Sequence, residues 1–256
     1  MPAANTIFAR ILRQAHAAYV IAKKDAVIYY LKPPVVSFGI VFPLFFYLAF
    51  AAGRNVPAQN MVPGIVAMAL FFTASAVGPL ITPWERMART YERLVTSPAS
   101  LWAIILGDAT ASALFGITLS LIPLTLGYAL AGTTIMQPLN FCCGIVLGAM
   151  AFSALGILIA SRATDTPSEI MMLANLVRLP LIFISGVFVP LPDMPEWGRR
   201  LAPISPLSYA ADLIRIGMGG DGYFPPLLDG GALLAFACVL MFFAHRLHRR
   251  AQRAGR

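Results

Sequence analysis

Two ionisable residues stand alone in long apolar runs of this 256-residue chain: Asp108 and Arg178. A charge at the middle of a bilayer costs roughly 2.5–3.5 kcal/mol on insertion scales, so such a side chain faces protein or water and takes a partner. On helices, Asp108 sits about 8 residues and Arg178 about 11 residues into its run, which puts them at similar depths. The expectation is an ion pair between them, or a pathway lined for an anionic group. Nothing else has the spacing of a reactive site. His16, His245 and His248 lie in basic flanking stretches and are expected to be solvated. Cys142, Cys143 and Cys238 lie in apolar runs without zinc-type spacing, and are expected to be small buried thiols. No catalytic residue and no metal ligand is assigned. No Gly-X4-Gly-Lys-Ser/Thr phosphate loop occurs, and Gly217-Met-Gly-Gly-Asp-Gly222 lacks the Lys-Ser/Thr ending. The chain is therefore expected to bind no nucleotide itself and to be no enzyme.

The elements that must position these residues are set by composition. The chain is 59% hydrophobic and 12% charged, with a mean hydropathy of +0.76. Soluble domains are about one quarter charged, so the bilayer is the expected solvent. A spanning helix needs about 20 mostly apolar residues. Six runs qualify: 34–52, 60–82, 100–131, 136–161, 167–190 and 226–246, the third containing Pro123 as a site for a kink. The runs are apolar on all sides rather than alternating, which selects helices over barrel strands. The expected fold is all-α: a polytopic membrane protein with six transmembrane helices, in one domain over 1–256. The N-terminal Met1-Pro-Ala-Ala-Asn-Thr-Ile is not expected to be a signal peptide, because no apolar core follows a basic start.

The net charge of +8 could suggest nucleic acid, so the placement of the charges decides. One side collects Arg10, Arg13, Lys23, Lys24 and Lys32 before the first run and Arg86, Arg89 and Arg93 after the second. Arg162 after the fourth run and five arginines of the tail from Arg246 to Arg256 fall on that side too. The opposite side holds Arg54, Arg199, Arg200 and Arg215. The positive-inside rule then places both termini in the cytoplasm and accounts for the basic balance without nucleic acid.

Three segments outside the spans carry information. Residues 5–31, within the N-terminal stretch 1–33, read as a basic amphipathic helix with Ile7, Ile11, Ala15, Ala18 and Ala22 at helical spacing, ended by Pro33-Pro34. Such a helix anchors to lipid or docks a partner. The loop after the second span reads as a short charged helix over 84–97, begun near Pro83 and stopped at Pro98. It is either a solvated connector or a lever on a cytoplasmic partner. Residues 191–225 carry Pro192, Pro195, Pro203, Pro206 and Pro225, with Trp197 and Tyr209 suited to a membrane–water interface. They read as re-entrant or interfacial helices around 193–201 and 206–217, before the last span and the basic tail within 226–256.

The motifs in these segments resemble the membrane subunit of type-2 ABC transporters, the permease family of drug, nodulation-factor, lipid and polysaccharide export systems. Ser185-Gly186-Val187-Phe188-Val189-Pro190 with Met194-Pro195 is similar to the family's Ser-Gly-hydrophobic-Pro and Met-Pro stretch. Pro206-Leu207-Ser208-Tyr209 through Leu213-Ile214-Arg215 is similar to its Pro-Leu-Thr-Tyr…Leu-Arg stretch, with Ser208 in place of Thr. Glu92-Arg93-Leu94-Val95-Thr96-Ser97-Pro98 resembles its loop motif, while Ala88-Arg89-Thr90 keeps the Thr of the upstream Gly-Thr and lacks the Gly. The resemblance implies an exporter subunit of the inner membrane. Two permease chains, expected as a homodimer, pair with two ABC ATPase subunits that hold ATP and Mg, and the exported substrate is not specified. It implies that 84–97 is a coupling helix acting through Glu85, Arg89, Glu92, Arg93 and Leu94. It also implies an outer gate that includes Ser185, Gly186, Pro190, Met194, Pro195, Trp197, Pro206 and Tyr209. The alternative is an ATP-independent secondary transporter, which would show inverted repeats and broken central helices. No convincing repeat is visible.

Overall fold

A computed structural model describes residues 2–29, 58–87, 100–161 and 166–253, together with Val41, Phe45 and Ala49. The described residues form eight α-helices and no strand. They are α1 (Pro2–Tyr29), α2 (Ala58–Met87), α3 (Leu101–Ala131), α4 (Pro138–Ala160), α5 (Pro167–Phe183), α6 (Glu196–Leu201), α7 (Pro206–Gly217) and α8 (Pro226–Arg253). Single 3-10 turns lie at Leu191–Asp193 and Ala202–Ile204. Among the described residues four helices are long and apolar enough to cross a membrane: Met61–Pro79 of α2, Leu101–Ala131, Pro138–Ala160 and Pro226–Arg250 of α8. The chain is an integral membrane protein. The expected first span, 34–52, lies outside the described residues apart from Val41, Phe45 and Ala49, all outward-facing.

Helix α2 is the centre of the bundle. Every side chain from Val62 to Pro79 is buried, and α3, α4, α5 and α7 all pack on it. Its run Thr73-Ala74-Ser75-Ala76-Val77-Gly78 explains how so many neighbours reach it. Small residues let membrane helices approach backbone to backbone. At the closest crossing, a Cβ built on Gly156 of α4 would stand 2.5 Å from the carbonyl oxygen of Ser75, so only glycine fits there. Above the crossing, Phe71 and Phe152 meet edge to face with centroids 4.9 Å apart, a favourable geometry for two buried rings.

Four sequence expectations need correction. First, α2 does not end at 82 with a new helix at Pro83. It continues unbroken through Pro79 and Pro83 to Met87, because a helical proline deletes one hydrogen bond without obliging the chain to turn. Second, the fifth run does not stay helical to 190. The helix stops at Phe183, 17 residues long, and the chain turns at Gly186, whose φ of +81° is left-handed and favours glycine. Third, the thiols are not all buried. Cys142 and Cys238 face outward and only Cys143 is half-covered, as suits small apolar side chains on helices whose outer solvent is lipid. Fourth, His248 is buried and His245 stacks on Trp102 with centroids 4.2 Å apart. Helix α8 runs past its apolar stretch to Arg253, and its inner stripe stays against α3. Pro123 lies inside an unbroken α3, and Ser100 caps that helix by accepting from Ala103 N.

Candidate functional site

The segment between α5 and α8 is built by a chain of freed and recaptured backbone groups. At the end of α5, Ser185 N donates to Ile182 O rather than to Leu181 O, in a tightened last turn. The Leu181 carbonyl thus released accepts from Ser205 Oγ at 2.9 Å, 24 residues further on. That bond returns the chain to the side of α5 after its excursion through Pro190, Met194 and α6. Gly186 is required twice there: its φ is left-handed, and a Cβ would meet Leu191 Cγ at 2.7 Å. Leu191, Met194 and Ala202 bury one another under this loop. Trp197 on α6 projects outward, 66% exposed, as a ring placed at an interface would.

Helix α7 then runs back through the bundle, antiparallel to α4. Ala210 lies against Gly148, Leu213 and Ile214 against Gly144, and Gly217 against Phe141. Its 12 residues cover about 18 Å, roughly half the thickness of a bilayer. Every α7 residue is buried except Arg215. Three polar side chains lock it. Ser208 Oγ donates to Ala202 O at 2.7 Å and Tyr209 OH to Pro203 O at 3.1 Å. Asp212 accepts from Tyr223 N at 2.7 Å and Phe224 N at 2.8 Å, and from Arg215 Nη1 at 3.3 Å. The α7 end is tied to the start of α4, because Gly217 O accepts from both Met136 N and Gln137 N at 2.9 Å.

The two isolated charges are not a pair. Arg178, 2% exposed, donates from Nη2 to the carbonyl of Ser75, and its Nε reaches no acceptor among the described residues. The correction has a geometric cause: Arg178 on α5 faces α2, whereas Asp108 on α3 faces α1. There, the side chains of Asp25 and Asp108 meet, with Lys24 Nζ 3.0 Å from Asp25 Oδ1. Burial raises the Asp25 carboxyl above its ordinary value of 3.8; Lys24 and the contact with Asp108 oppose that rise. Helix α1 is held on α3 by Gln14, whose Oε1 accepts from Ser100 N at 2.8 Å, and by Ile21 and Ala22, both buried. The amphipathic helix therefore docks on protein through its second half.

Sequence reasoning brought Ser185, Gly186, Met194, Pro206 and Tyr209 into one segment; the structure buries all five and leaves Pro190, Pro195 and Trp197 exposed. It missed Asp212, whose signal was a polar residue inside an apolar helical pattern, and Ser205, the extended residue before Pro206 at the start of α7. Of the residues assigned to coupling, Glu85 lies in the last turns of α2. Arg89, Glu92, Arg93 and Leu94 lie outside the described residues, as does most of 84–97. Among the described residues no three metal-type side chains gather.

A bundle of apolar helices around one buried helix, with the segment between α5 and α8 folded back as a half-length helix, defines the class as a polytopic membrane transport subunit. The sequence profile of the ABC-2 type transporter family matches residues 20–218, and the chain belongs to that family. It is the transmembrane subunit of an ABC exporter. Nodulation protein J of Bradyrhizobium diazoefficiens is 29% identical over 219 residues, 83% of this chain and 81% of that protein. Nodulation protein J of Rhizobium meliloti is 29% identical over 210 residues, covering 80% and 74%. The inner membrane transport permease YadH of Escherichia coli is 23% identical over 226 residues, covering 87% and 88%.

Proposed function

We propose that two copies of this chain form the pathway of an ATP-driven exporter in the inner membrane, with two separate ATPase subunits docked at 84–97. The observation that carries this reading is α7, a buried helix folded about 18 Å back along α4. Such a helix can seal a pathway at the end opposite the coupling loop. Six spans, counting 34–52 and α5, would put both termini and 84–97 in the cytoplasm and the segment 191–225 outside. ATP and Mg would be held by the partner subunits and by no residue of this chain. Outward-facing Met172, Leu176 and Phe183 on α5 offer an apolar face to a second copy or to lipid. ATP binding drives the cycle only insofar as it favours one arrangement of the spans over the other. Glu85, Arg89, Glu92, Arg93 and Leu94 would carry that preference from the ATPase to α2, whose cytoplasmic end continues into the loop.

Site-specific cross-linking tests the reading. Arg93→Cys, with Cys142, Cys143 and Cys238 removed, is expected to cross-link to the ATPase subunit in membranes through a maleimide–succinimidyl ester reagent, which joins the new thiol to a lysine amine of the partner. Trp197→Cys in the same background is expected to react with a membrane-impermeant label from outside only. Labelling of the second from the cytoplasmic side contradicts the assignment.

A further inference from the structure

Helix α2 contains Pro79 on its buried side. A proline in a helix lacks the N–H that would donate to the carbonyl four residues earlier, and here that carbonyl belongs to Ser75. In a membrane such a freed group needs a donor from a neighbour, because no water replaces the lost bond. The neighbour is Arg178: its Nη2 donates to Ser75 O across 103 positions of sequence. Two further side-chain contacts lie in the same stretch of α2. Ser75 Oγ donates to Phe71 O at 2.6 Å and Thr73 Oγ1 to Ala69 O at 2.6 Å, back-bonds of the kind that bend helices. Gly156 of α4 closes on the Ser75 carbonyl from another side. The Ser75 carbonyl is therefore a junction of three helices: α2, α4 and α5.

We propose that Arg178 is a positioning residue. It supplies the hydrogen bond that Pro79 withholds, and so clamps α5 to α2 at the turn that contains the proline. The junction lies between two moving parts. Beyond Pro79, α2 runs to Met87 and the 84–97 loop; beyond Arg178, α5 runs to the turn at Gly186 and the outer segment. A displacement of the cytoplasmic end of α2 is passed to α5 through this contact. The transmission step rests on the proposed function, whereas the hydrogen-bond substitution stands on the geometry alone.

The test is a cycle of R178M, P79A and the double variant, with R178K beside them. R178M keeps the unbranched apolar stem of the side chain and removes its donors. P79A returns an N–H to the α2 backbone, so the Ser75 carbonyl no longer needs the guanidinium. In liposomes holding this chain with its ATPase subunits, R178M is expected to lower ATP hydrolysis about tenfold, the scale of one charge-assisted hydrogen bond. R178K retains most of the activity, and the double variant returns to within about threefold of P79A, a non-additivity that shows direct coupling. A residue that merely filled space would not be rescued by a backbone N–H. Additive losses, or full activity in R178M, overturn the proposal. If the wild-type complex hydrolyses no ATP, the exporter reading fails instead. The same cycle is then read in the thermal midpoint of the purified chain, where additivity overturns the assignment of Arg178 to Ser75.

Discussion

Placing a methyl group at Gly156 should break the crossing on which the bundle is built. The added Cβ would stand 2.5 Å from Ser75 O and 3.0 Å from both the carbonyl carbon and Cα of Ser75. All three are backbone atoms, so no side chain can rotate away and α2 and α4 must part by most of an ångström. Overpacking of this kind costs up to about 3 kcal/mol, against which alanine's better helix propensity returns about 1 kcal/mol. The net expectation for Gly156→Ala is a loss of about 2 kcal/mol, with further damage from straining the Arg178 contact at the same carbonyl. Gly231→Ala is the control. It lies on the outward face of α8 with nothing within 4 Å of the new Cβ, so it should gain up to about 1 kcal/mol from propensity alone. Thermal unfolding in one detergent, followed by loss of monodisperse protein, separates the two. A Gly156→Ala chain as stable as Gly231→Ala would refute the close-crossing argument.

Three further outcomes follow from the same structure. Asp212→Ala strips three donors of their acceptor, which should cost about 2 kcal/mol and expose residues 219–225 to protease; unchanged cleavage would count against the locking of the segment between α7 and α8. Asp25→Asn should raise the thermal midpoint at pH 7.5 and lose that advantage as the pH falls toward 4. Burial raises the folded-state value of Asp25 above 3.8, so its contribution is most favourable below that pH and is lost as the pH rises through the folded value. Equal gains at both pH values would place the effect elsewhere. Glu92→Ala with Arg93→Ala should leave membrane insertion intact and weaken ATPase association, checked by co-purification yield.

Much of the architecture is legible because the bilayer constrains it. The apolar runs 100–131 and 136–161 match α3 and α4 to within two residues, since a membrane helix must satisfy its own backbone. The helices around 193–201 and 206–217 are also readable, because prolines bracket them and α7 keeps helical apolar spacing. The partner of Arg178 is not readable. Asp108 is the only acid at a similar depth, and a depth argument carries no information about which face each helix turns inward. The acceptor proves to be a backbone carbonyl, which no residue type announces. Pro79 is the available clue: a proline inside a span implies an orphaned carbonyl four residues back and hence a donor on a neighbour. The end of α5 escapes sequence reasoning for a similar reason, since Val187, Phe188 and Val189 are apolar enough to extend the run. The left-handed turn at Gly186 depends on packing against Leu191 that sequence periodicity does not encode.

The central claim is that this chain is the membrane half of an ATP-driven exporter. It is tested most directly by measuring ATP turnover on the chain purified with its candidate ATPase subunit and reconstituted in liposomes. The account predicts a stable complex whose hydrolysis depends on this chain and falls when Glu92 and Arg93 are replaced. A chain that purifies alone, and leaves the ATPase subunit's turnover unaltered, would contradict it.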